Sequence, residues 1–105
     1  MFEKSIFLKS LQDIYDAGES DKAVNFIKDN LSLSGLTEDD IVFLKYYLAR
    51  EYFFNNQYRL AEPLFCSISE NKIYSTNVST YLSEIYANSD RLLDSVFLLN
   101  NIYRS

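Results

Sequence analysis

The chain has 105 residues, enough for one domain, and nearly half are apolar (48%), so a core can be buried. Two Gly and one Pro argue against a strand-and-turn fold and against disorder. A net charge of −5 disfavours nucleic acid and anionic membrane surfaces, both of which call for basic patches.

Six helices are predicted in chain order. The first runs from about Phe2 to Ala17, because Phe2, Ile6, Phe7, Leu11, Ile14 and Tyr15 recur at three- and four-residue steps and Gly18 stops the pattern. The second starts near Asp21, carries Ala23, Val24, Phe26 and Ile27, and fades from Asn30 to Leu33. Residues 32–36 read as a loop. Thr37, followed three residues later by Asp40, resembles a helix N-cap signal, with Glu38, Asp39 and Asp40 in the first turn where the helix dipole favours negative charge. A metal site is the alternative for this acidic cluster, and no calcium-loop spacing supports it. The third helix then spans Glu38 to Phe54, the fourth Tyr58 to Glu70 with Pro63 inside it, the fifth Ser75 to Asn88, and the sixth Arg91 to about Tyr103. Gly18, Asn56 and Asp90 fall at corresponding turns, and all three residue types tolerate the left-handed backbone better than most.

The spacing is more specific than the elements. Residues 48–68 and 82–102 repeat one pattern 34 positions apart. Leu48 answers to Leu82, Ala49 to Ser83, Tyr52 to Tyr86, Tyr58 to Leu92, Ala61 to Ser95, Phe65 to Leu99 and Ile68 to Ile102. The small residues let paired helices approach closely, and the large ones fill the space between neighbours. All of these are expected in the core.

These residues resemble the tetratricopeptide repeat (TPR), a unit of two antiparallel helices stacked into a solenoid. Leu48, Ala49, Tyr52, Asn56, Tyr58, Ala61 and Phe65 meet the motif best, and a first unit keeps Leu11, Ile14, Gly18, Ala23 and Ile27. That unit departs in having Leu11 where a small residue is usual and a link four residues longer. The resemblance implies an all-α, right-handed superhelix of three repeats (about 2–33, 37–70 and 73–104) forming a single domain over residues 1–105. It also implies a concave face made by the first helix of each unit. Carried over place by place, that face includes Leu8, Gln12 and Tyr15, then Phe43, Tyr46, Arg50, Phe53 and Phe54, then Thr80, Glu84 and Asn88. Phe43 and Phe53 have the alternative of packing against an adjacent unit. The inward Lys, Asn and Arg set by which some TPR domains grip acidic chaperone tails is broken here by Leu8, Gln12 and Tyr46.

A narrower resemblance is to the N-terminal region of TPR subunits of the anaphase-promoting complex. It rests on the acidic link Thr37-Glu38-Asp39-Asp40 and on the unit running from Phe43-Leu44 to Tyr58-Arg59-Leu60-Ala61. It implies a homodimer and a cell-cycle setting.

No enzyme is expected. The chain has no His, which excludes Ser/His/Asp, Cys/His and His-metal sites, and Gly18 and Gly35 stand alone, so there is no phosphate loop. Glu51, Glu62, Glu70 and Glu84 read as solvated, and no cofactor or metal is expected. The single Cys66 beside Phe65 reads as a buried thiol in a reducing compartment. No signal peptide or membrane span is visible, so a cytoplasmic or nuclear location is expected.

The function so implied is a protein–protein interaction scaffold that self-associates or joins a larger complex. The last predicted helix is apolar nearly all round, and Leu93, Phe97 and Leu98 on it are the expected self-association or capping surface. The alternative is a peptide-binding chaperone or cargo receptor using the aromatic concave groove.

Overall fold

The computed structural model describes residues 2–88, which hold five α-helices and no strand. They are α1 (Lys4–Asp16), α2 (Ala23–Leu31), α3 (Glu38–Phe54), α4 (Tyr58–Ser67) and α5 (Ser75–Asn88), with a short 3-10 turn at Ser20–Lys22 leading into α2. The sixth predicted helix, the third left-handed turn at Asp90, and Ser95, Leu99, Leu93, Phe97 and Leu98 lie outside the described residues.

Local chemistry accounts for most boundaries. Thr37 and Asp40 form a reciprocal capping box: the Asp40 N–H donates to Thr37 Oγ1 and the Thr37 N–H to Asp40 Oδ2, each at 3.1 Å. The acidic cluster is therefore a helix start, with Asp40 itself engaged in the cap. Gly18 (φ 72°) and Asn56 (φ 61°) both adopt the left-handed conformation that their turns require. Pro63 is accommodated inside α4, although its ring removes one backbone hydrogen bond. That helix ends at Ser67, three residues short of the predicted Glu70. Ser67 and Ser69 donate their hydroxyls to the carbonyls of Leu64 and Cys66, offering the backbone an alternative to further helix.

Each helix packs mainly on the next along the chain: α1 on α2, α2 on α3, α3 on α4, α4 on α5. The core follows that order. Phe7 and Leu11 of α1, Ala23 and Ile27 of α2, Leu44, Leu48, Ala49 and Tyr52 of α3, Ala61 and Phe65 of α4 with Ile68 just beyond it, and Val78, Leu82 and Ile85 of α5 form one cluster. Ala23, Ala49 and Ala61 are fully buried, as close helix approach requires. Among the motif places, Ile14, Tyr58, Ser83 and Tyr86 are only half-buried. The central helix α3 is buried on several sides, because besides α2 and α4 it meets α1 through Phe43 and α5 through Phe53.

Two expectations are corrected, for Glu51 and Cys66, and Phe43 takes its packing alternative in place of the concave face. Glu51 is not solvated; it is 6% exposed, on the same α3 face as Leu44 and Leu48. Cys66 is exposed, since it stands one residue round the helix from the buried Phe65 and that step turns it outward. Phe43 is buried against Phe2, Phe7 and Tyr47, with ring centroids 4.9–6.1 Å away, and belongs to the α1–α3 contact.

Candidate functional site

Successive turns of α3 bring Tyr46, Tyr47, Arg50, Phe53 and Phe54 to one side of the helix. Opposite them α5 presents Asn77, Thr80, Tyr81 and Glu84. Between the two helices lies a cleft of about 630 Å3. Its walls are largely rings. Tyr81 meets Phe53 at 4.9 Å and Phe54 at 6.3 Å, both edge to face, and its other side stacks on the buried Phe65 at 5.0 Å. Tyr46 is held by Tyr74, stacked at 4.5 Å. These rings are fixed by one another, which leaves a cleft with pre-formed apolar walls.

Arg50 carries the positive charge of the site, across from Glu84. Its guanidinium stands over Tyr47 at 5.3 Å, Phe54 at 5.6 Å and Tyr46 at 5.8 Å from the ring centroids. Such cation–π contacts hold the head group in place, and among the described residues no carboxylate pairs with it. The Arg50 Nε is buried and has no acceptor among the described residues. Burial pushes the Tyr46 phenol above its ordinary value and the neighbouring Tyr81 adds to the effect, while Arg50 works against it.

Tyr47, Arg50 and Phe54 also line a second, small cleft of about 60 Å3 on the α1 side, completed by Leu11, Tyr15 and Glu51. There the Tyr15 hydroxyl donates a hydrogen bond to Glu51 Oε2. Burial first, and this bond to a carboxylate second, push the Tyr15 phenol well above its ordinary value.

No protein-family model and no curated protein matches the chain. Tyr46, Arg50, Phe53, Phe54, Thr80 and Glu84, named from the sequence, come together around the larger cleft. Phe53 also packs, being 9% exposed, so it serves as wall and core at once. Tyr15 stands across Arg50 in the smaller cleft. Leu8 and Gln12 are exposed on α1 and line neither cleft; the Gln12 amide donates to Asp16 Oδ1 at 2.9 Å. Asn88 lies one turn beyond Glu84, and its amide donates to the Glu84 carbonyl. Phe43 is in the core, as above.

Tyr47 and Tyr81 were missed as cleft residues. A signal for them existed, because they occupy the same place in the 34-residue register. Glu51 was missed as well, and its signal was helical phase: it follows Leu44 and Leu48 at four- and three-residue steps.

Among the described residues no helix is long and apolar enough to cross a membrane.

Proposed function

We propose that this chain is a protein-interaction module of TPR type, which holds a segment of a partner protein in the cleft between α3 and α5. The observation that carries the reading is Phe54. It is 59% exposed, yet it lies beside Phe53, Tyr81 and Arg50 at the wall of a concave surface. An exposed aromatic set among fixed rings is the usual anchor point of a protein interface. The 34-residue register, the serial packing of neighbouring helices and the left-handed turns at Gly18 and Asn56 support the repeat reading. In that reading three hairpins form a right-handed superhelix, and α1, α3 and α5 are the first helices of its units.

Peptides selected from a display library on the intact chain test the proposal. Phe54→Ala should weaken their binding about tenfold or more while leaving the helical spectrum intact. Unchanged binding would remove the cleft from the account.

A second reading is assembly through a second copy of the chain, within a larger complex of the anaphase-promoting kind and in a cytoplasmic or nuclear setting. Ile6 (61% exposed) and Leu33, beside a shallow apolar hollow between α1 and α2, favour it as a further uncovered surface. Light scattering separates the two readings: a lower mass for an Ile6→Ser variant would assign self-association to the hollow between α1 and α2, while Phe54→Ala reports on the cleft. A change of mass would assign the cleft to a second copy, and loss of peptide binding at constant mass would assign it to a partner segment.

A further inference from the structure

Arg50 brings to the larger cleft a charge that the described residues leave unanswered. Three rings hold its guanidinium, its Nε is buried without an acceptor, and among the described residues no carboxylate lies within ion-pair distance of it. Its sequence neighbour Glu51 is engaged by Tyr15. Glu84, the acidic residue that α5 contributes to the cleft, is exposed and makes no ion pair with it. A fixed, partly desolvated cation of this kind favours an incoming anion, because its rotamer is already set and little ordering remains to be done on binding.

We infer that the cleft accepts one carboxylate, carried on an otherwise apolar partner segment, with Arg50 as its cation and the surrounding rings as the seat of the adjoining apolar side chain. This rests on the docking reading above and names the chemistry of the occupant. The charge count restricts the anion to one. Among the described residues that line this cleft Arg50 is the only Lys or Arg, Glu84 stands at the same cleft, and the whole chain carries a net charge of −5. A second acidic group, or a phosphate dianion, would meet Glu84 with no further cation to offset it. A cationic partner group is disfavoured because Arg50 already occupies the ring faces.

Nuclear magnetic resonance of the whole chain provides the test. N-acetyl-L-phenylalanine is titrated against its uncharged amide, with phenyl phosphate and triglutamate as the two rival anions. The acid should bind at least about fivefold more tightly than the amide and should shift the Arg50 Nε–Hε resonance. Arg50→Gln should abolish the difference, Arg50→Lys should keep part of it, and Glu84→Gln should enlarge it. Equal affinity of acid and amide at the cleft would overturn the carboxylate assignment and leave the docking reading standing. Tighter binding of phenyl phosphate or triglutamate would overturn the restriction to a single carboxylate. If neither phenylalanine probe moves a cleft resonance at tens of millimolar, both the assignment and the docking reading of this cleft fall. Should Arg50→Gln fail to fold, the Arg50→Lys and Glu84→Gln titrations decide between the same outcomes.

Discussion

Tyr15 and Glu51, far apart in the chain, tie α1 to α3 through a hydroxyl–carboxylate hydrogen bond. The carboxylate is buried, so the hydroxyl is its compensation for lost water. Tyr15→Phe should cost about 1–2 kcal/mol, read from urea denaturation near pH 7. Its pH dependence follows from the sign of the phenol shift. Below the ordinary value of 10.0 the phenol is neutral in both folded and unfolded chains, and its contribution is fully present. As pH rises past that value the unfolded chain ionises while the folded one resists, so stability falls. Tyr15→Phe should flatten that alkaline limb without removing it, because Tyr46 and Tyr74 are also pushed upward by burial. A limb of unchanged slope would show that the bond does not hold in solution. Nothing in the composition marks this pair; only the helical phase of Glu51 points inward.

The elements show how far local rules reach. The start of α3 is written in Thr37 and Asp40, and its dipole end in Glu38 and Asp39. The end of α4 was less legible, because Ser67 and Ser69 terminate it by side-chain bonds whose competition with the helix is close. The same helix carries its own defect. Pro63 lies inside α4 with its side chain exposed, so it removes a backbone bond without contributing to the core. Pro63→Ala should stabilise the chain by about 1–2 kcal/mol, the helix gain being reduced by the greater freedom of the unfolded alanine chain. The urea midpoint should rise with the slope unchanged. A fall would mean that the proline ring makes packing contacts which the alanine cannot replace.

For the molecule as a whole, stability depends on neighbouring helices coming close at a few small residues. Ala49 on α3 and Ala61 on α4 are both fully buried, and Phe65 fills the space one turn further on. Ala61→Leu should force the two helices apart and cost about 1–3 kcal/mol, measured by denaturation. An unchanged midpoint would contradict a tight α3–α4 contact. Because the packing is serial, such a lesion should loosen α4 and α5 more than α1 and α2, which hydrogen exchange resolves helix by helix.

Periodicity along the chain by itself determined the five helices, the left-handed turns at Gly18 and Asn56, and most of the buried residues, from Leu11 and Ile27 to Phe65 and Leu82. These depend on residues three or four apart, or on the backbone conformation of a single residue, and such terms are local. Only the tertiary structure decided that Glu51 and Phe43 are covered, that Cys66 faces water, and that Tyr47 and Tyr81 join Arg50 at one cleft. The reason is that a helical face states which side chains point together, whereas their burial depends on what a distant helix places against them. For Glu51 that distant group is the hydroxyl of Tyr15, and for the cleft it is the α5 face carrying Tyr81.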